Sequence, residues 1–428
     1  MDQNDTKNKL NSFSGIHCRN ETYAINDNKI YFRKAKGAFV YDYDNNKYLD
    51  FSMGAGTTIF GHSPPAITNS VKKAIDDGTI FTAPNMKAHE LACKLNKLLY
   101  LDEFVFCNSG SEATSRAMRI ARAYTGKRKI AVFSGGWHGG HDYGLIDDIY
   151  DQGDNSVVSP TFKSAGVPKE IMDTMLILPY NDNAAFDILE QEKGDIAAVF
   201  IEPSQGSNPR DDMKTFLDKL RKVTERHKIL LCFDEIITGF RISLGGAQKY
   251  YNIDIDLATY AKTIGGGFPF GIVAGKANIM QCIGEKSVFM GGTFSANPIS
   301  VTSSLSVINC LLGDTSIYQD LNTKMNYVER LINSYCKDNK IQVRISSFGS
   351  IFRFIFTDKF IRSRKERSMY ELPVDTQNLF YKYLLDQGIY VGSNRINFLS
   401  TVHTMDLINE FVDKVVNSFN KLRRDGLV

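Results

Sequence analysis

The middle of the chain alternates short apolar runs with longer amphipathic stretches. Seven runs stand out: Phe104–Cys107, Lys129–Phe133, Met175–Leu178, Ile196–Ile201, Ile229–Phe233, Leu257–Ala261 and Gly271–Ala274. Most are rich in β-branched or aromatic residues and lack polar alternation, which predicts strands buried on both faces of a largely parallel sheet. The stretches between several of them predict helices. Glu112–Tyr124 carries small and apolar residues at helical spacing with Gly126 as a stop, and Met213–Arg226 reads similarly. An α/β layer architecture follows.

From about residue 305 the pattern changes. Leu321, Met325, Val328, Leu331 and Ile332 mark a helix, followed by short strands at Gln342–Ser346 and Ile351–Phe356 and helices near 375–387 and 405–423. Near the start, strands are expected around Ala38–Tyr43 and Lys47–Phe51, turned by Asp44-Asn45-Asn46. The expected organisation is an N-terminal segment (1–60), a large α/β domain (61–304) and a smaller α+β domain (305–428).

Composition narrows the functional classes. Of the 428 residues, 43% are hydrophobic and 23% charged, with a formal net charge of +3, which is ordinary for a globular protein. Acids and bases are interspersed, so no basic groove for nucleic acid is expected. The polar start Met1–Phe13 lacks a secretory apolar core, and no run approaches the length of a membrane span. The seven cysteines are scattered and never spaced CxxC, which points to free thiols in a reducing compartment. A cytoplasmic protein is the expectation.

In open α/β sheets, ligands bind beyond the carboxyl ends of the strands. Four strand ends carry chemistry. After Phe104–Cys107 comes Asn108-Ser109-Gly110-Ser111-Glu112, either an anion site at a helix start or a plain helix cap. After Lys129–Phe133 comes Gly135-Gly136-Trp137-His138-Gly139-Gly140, with the only tryptophan of the chain. It is suited to stacking on a planar ring, or it is a glycine turn holding a packed aromatic. His138 and His141 are spaced as a metal pair, but no third ligand is evident.

After Ile229–Phe233 comes Asp234-Glu235. An acid at a buried strand end needs a partner, such as a cationic ring nitrogen or Arg241. After Leu257–Ala261 comes Lys262 and a glycine loop, Thr263 to Pro269. A desolvated lysine there would be a nucleophilic amine; a solvated one would be ordinary surface. Competing motifs fail: Gly56 to Ser63 has the Walker A spacing but histidine for its lysine, and neither G-x-G-x-x-G nor H-E-x-x-H occurs.

These four strings, in this order and followed by Gly291-Gly292-Thr293-Phe294-Ser295-Ala296-Asn297-Pro298, resemble the class III pyridoxal-phosphate aminotransferases. The resemblance is nearest to the glutamate-1-semialdehyde 2,1-aminomutase branch and covers nearly the whole chain. It includes Asp42 to Asp50, Gly166-Val167-Pro168, Pro179 to Asp182 and Val402-His403-Thr404.

The resemblance implies a fold type I transferase working as a homodimer with shared active sites, with pyridoxal 5′-phosphate as cofactor. Lys262 would carry the cofactor as a Schiff base and Asp234 would keep its ring nitrogen protonated. Trp137 and Ile236 would flank the ring. Gly110 and Ser111 would cradle the phosphate, with Thr293 reaching it from the neighbouring subunit. His138 and Glu202 would complete the cofactor site.

Departures from the aminomutase pattern bear on the substrate. Ala55 stands where the aminomutase has a tryptophan, and the segment Gly392 to Asn397 is shorter. Arg19 and Arg395 are the candidate substrate-binding cations, suited to a carboxylate or phosphate. The expectation is a transaminase moving an amino group from a donor such as glutamate to a small aldehyde or ketone bearing such a group. The alternatives are the aminomutase reaction and, remotely, a non-catalytic cofactor-binding dimer.

Overall fold

The computed structural model describes residues 24–25, 28–149, 159–286, 288–392 and 395–428. Arg19, Ser393, Asn394 and most of the Tyr150–Ala165 segment lie outside them.

All seven expected strands form and join one sheet. In chain order they are β1 (Glu103–Cys107), β2 (Lys129–Phe133), β3 (Met175–Leu178), β4 (Ile196–Ile201), β5 (Leu230–Asp234), β6 (Leu257–Tyr260) and β7 (Gly271–Gly275). Their order across the sheet is β3-β2-β4-β5-β6-β7-β1. The pairs from β3 to β6 are parallel, and β7 runs antiparallel to both β6 and β1. The carboxyl ends of β1, β2, β4, β5 and β6 therefore open on one edge, where β7 begins.

The lack of alternation in the strand sequences has a direct cause. Successive side chains of a strand point to opposite faces. Val199, Ile201, Leu231 and Phe233 enter one apolar core, while Ala198, Phe200 and Cys232 enter another on the opposite face. Both faces are dry, so both must be apolar. Each fully buried Leu, Ile, Val or Phe contributes about 1.5–3 kcal/mol relative to exposure.

The first of these cores runs on into the C-terminal region. Phe51 packs on Phe352 and Phe411, with ring centroids 6.0 and 4.0 Å apart. The N-terminal strands Phe32–Lys36, Phe39–Asp42 and Lys47–Asp50 form an antiparallel ribbon. Its last strand pairs in parallel with Ile389–Tyr390, so the two ends of the chain share a sheet. The strands Arg344–Phe348, Ile351–Ile355 and Asn397–Phe398 form a second small sheet, backed by the helices Ile317–Asp338, Val374–Asp386 and Met405–Arg424. The helix Pro298–Gly313 spans the change of pattern near residue 305 and is buried on nearly all sides. Among the described residues no helix is long and apolar enough to cross a membrane.

Candidate active site

At the strand carboxyl edge lies a cavity of about 280 Å³. Its walls bring together Asn108, Ser109, Gly110 and Ser111 from the end of β1, Trp137 and Gly139 after β2, and Glu202 after β4. Asp234 ends β5, Ile236 and Ile237 follow it, and Lys262 follows β6. Thr57 and Phe268 to Phe270 complete it.

The β1 end is a capped helix start. Ser109 caps the helix Gly110–Thr125, its Oγ accepting from the Glu112 N–H at 3.1 Å. Glu112 in turn accepts from the Asn108 N–H at 2.8 Å and pairs with Arg116. The N–H groups of Gly110 and Ser111 open the helix, where intrahelical geometry gives them no acceptor. Gly110 admits Ile236: a Cβ there would lie 2.7 Å from Ile236 Cδ1. Gly139, at φ +105°, lies against Ser111, and a Cβ would come within 2.7 Å of the Ser111 backbone.

Asp234 is 3% exposed and bound on three sides. His138 donates from Nδ1 to its Oδ2 at 2.7 Å, while the Ile236 N–H and Thr259 hydroxyl reach its Oδ1 at 3.2 and 3.3 Å. Its partner is therefore not Arg241. That side chain is fully buried and bonds to the Gly56 and Leu399 carbonyls and the Thr263 and Ser350 hydroxyls. Burial holds Arg241 down to about 9. It ties the cavity wall at Gly56-Thr57 to the C-terminal region. Glu235 turns into the core, where the Thr238 hydroxyl and the Ala247 and Gln248 N–H groups donate to it. Burial lifts it to about 7.

The two histidines have different jobs. His138 supports Asp234, and its Nε2 is buried with no hydrogen-bond partner among the described residues. His141 Nε2 meets the Thr114 hydroxyl at 3.0 Å. Glu202 accepts from the Trp137 N–H at 3.0 Å; burial and the charge of Asp234 raise its carboxyl above the usual range.

Lys262 sits at φ +49°, a left-handed backbone that is unusual for a non-glycine residue and turns its side chain into the cavity wall. Met53 and Ala55 share this conformation, and Ala55 is half-buried. Thr293 is exposed on the loop before Pro298–Gly313. Arg395 is held by Gln377 at 2.7 Å and by Asn378, with its guanidinium 5.2 Å from the Tyr381 ring centre.

The donor set fits a flat, cationic heterocycle carrying an anion. A buried carboxylate awaits a positive ring N–H, two helix-start N–H groups await an anion, and an indole and an isoleucine line the walls between them. A sequence profile of the class-III aminotransferases matches residues 22–422.

The chain belongs to that family.

Glutamate-1-semialdehyde 2,1-aminomutase from Methanococcus vannielii is 34% identical to it over 405 residues, 92% of each chain. An omega-transaminase from Sphaerobacter thermophilus superposes with a TM-score of 0.90 at 27% identity, covering 99% of this chain and 97% of that one. A transaminase with pyridoxal phosphate bound superposes with a TM-score of 0.87 at 23% identity over the whole of both chains. The fold is fold type I, and the cofactor of this class-III enzyme is pyridoxal 5′-phosphate.

Sequence reasoning missed several parts of the site. Thr57 and Phe270 line the cavity without any motif to announce them. The role of Arg241 was visible only as a possible partner for Asp234.

Proposed function

We propose that this class-III enzyme moves an amino group between an amine and a carbonyl compound, with Lys262 and Asp234 as its catalytic residues. The observation that carries the reading is the convergence of Lys262 and the Asp234–His138 pair on one cavity.

When bound, the cofactor supplies an electron sink for the carbon that bears the amino group. The protein's part is positioning and proton handling. The Lys262 amine holds the cofactor and then carries a proton to and from the substrate carbon. Asp234 keeps the cofactor ring nitrogen protonated, and His138 fixes the carboxylate that does so. Gly110 and Ser111 hold the phosphate through backbone N–H groups. Trp137 and Ile236 would flank the cofactor ring, and Glu202 would border it. Thr293, exposed on its own chain, serves the phosphate site of a second copy, which makes the working unit a homodimer.

Two versions of the reaction are carried. In the intermolecular version a donor such as glutamate is converted to its keto acid and a second carbonyl compound is aminated. The 27% identical omega-transaminase supports it, as does the small Ala55 at the position where the aminomutase pattern has a tryptophan. In the aminomutase version donor and acceptor positions belong to one molecule. The 34% identical aminomutase over 92% of both chains supports that version more directly.

One assay separates them. Glutamate with a panel of carbonyl acceptors releases 2-oxoglutarate only in the intermolecular version. Conversion of glutamate 1-semialdehyde without any keto acid released selects the aminomutase version. Absence of both, with the cofactor bound, overturns the reading.

A further inference from the structure

The loop that carries Trp137 has few side chains of its own to hold it. Gly135, Gly136, Gly139 and Gly140 are four of its six residues from 135 to 140. Glycine loses more backbone freedom on ordering than any other residue, so such a loop needs anchors from outside. The indole is 46% exposed, so packing holds it only in part.

Two ionisable side chains grip one peptide of this loop from opposite sides. The Gly136–Trp137 peptide is trans, so its C=O and N–H point in opposite directions. The Lys163 ammonium donates to the Gly136 carbonyl at 2.6 Å. The Trp137 N–H donates to Glu202 Oε2 at 3.0 Å. A hydrogen bond from an ammonium is roughly twice as strong as one between neutral groups. The same ammonium stands 5.6 Å from the centre of the indole ring, within the range at which a cation is drawn to an aromatic face. One side chain thus touches both the backbone and the ring of the Trp137 segment.

Lys163 is anchored outside the glycine loop. Its N–H donates to the Leu145 carbonyl at 2.8 Å. Phe162, just before it, pairs with Ile146 across an antiparallel ribbon, and both side chains join an apolar core. The half-buried lysine is therefore delivered to the loop from a packed framework.

We propose that Lys163 is a positioning residue. With Glu202 it clamps the Gly136–Trp137 peptide, and through its ammonium over the indole it sets Trp137 against the cofactor ring. This rests on the reading above that Trp137 flanks that ring. Lys163 lies three residues before Gly166-Val167-Pro168 and outside the four strings at the strand ends.

Trp137 is the only tryptophan, so its emission reports this position alone. The first readout uses the full-length protein freed of cofactor. Lys163→Met keeps much of the stem and removes the charge. Quenching of Trp137 emission by acrylamide should rise roughly two-fold or more, and the emission anisotropy should fall. The second readout is the dissociation constant for pyridoxal phosphate, which should rise roughly five-fold or more. Lys163→Arg should return both to near the wild-type values. Lys169→Met, at an exposed position six residues on, should change neither.

Lys163→Gln replaces Lys163→Met if that variant does not fold. Unchanged quenching and anisotropy in the neutral variant overturn the clamp, as does a loss in Lys163→Arg equal to that in Lys163→Met. Altered quenching with wild-type cofactor affinity overturns the positioning role if Trp137→Ala does weaken cofactor binding. If Trp137→Ala binds the cofactor as tightly as wild type, it is the flanking role of Trp137 that fails, and the quenching in the cofactor-free protein still decides the clamp.

Discussion

His138 donates from Nδ1 to Asp234 Oδ2 across 2.7 Å, joining the ends of β2 and β5, 96 residues apart in sequence. Both side chains are nearly inaccessible to solvent. The bond leaves Asp234 one direction in which to act, into the cavity.

Asp234→Asn should therefore cost roughly 3–5 kcal/mol of transition-state stabilisation, or about two to four decades in rate. His138→Leu removes one hydrogen bond to a charged group, and a loss of about 1.5–3 kcal/mol is expected. Steady-state kcat of the two variants checks the order. Near-normal activity in Asp234→Asn would remove that residue from its role.

Gly110→Ala tests the floor of the cavity. The new methyl meets the far end of Ile236, which can swing aside, so the fold should hold. The side chain then moves into space that the cofactor needs. The melting temperature of the apoprotein should stay nearly unchanged while the dissociation constant for pyridoxal phosphate rises at least ten-fold. A matching loss of both would mean that the glycine serves packing alone.

His403 supplies a pH prediction. It is fully buried, stacked on Phe51 at 4.6 Å; its Nε2 donates to the Asp50 carbonyl and its Nδ1 accepts from the Ser400 N–H. Protonation would cost that last bond, and burial lowers its pKa to about 4 from an ordinary 6.5. Between those values the unfolded chain binds a proton and the folded one does not. Stability is thus fully present above pH 6.5 and is lost as the pH falls toward 4, by roughly 3 kcal/mol for this group. Thermal melts of wild type should decline over that window. His403→Asn should start lower at pH 7.5 and decline less steeply.

The sheet was legible because β2 to β7 are buried on both faces, and continuous apolar runs are the signature of that burial; the edge strand β1 is only half-buried. Lys262, Asp234, Trp137 and Gly110 were legible because each follows such a run. The contacts that complete the site were not. Nothing local pairs Lys47–Asp50 with Ile389–Tyr390, or sends Arg241 to Gly56 and Leu399. Arg19 lies outside the described residues, and the work of Thr293 depends on a second chain.

The central claim is that the Lys262 amine holds the cofactor. Borohydride reduction of the loaded enzyme, followed by peptide mapping, tests it directly. A single reduced cofactor adduct is expected on the peptide containing Lys262, and none in Lys262→Ala, which also loses the visible band and turnover. An adduct on another lysine, or turnover retained by Lys262→Ala, would contradict it.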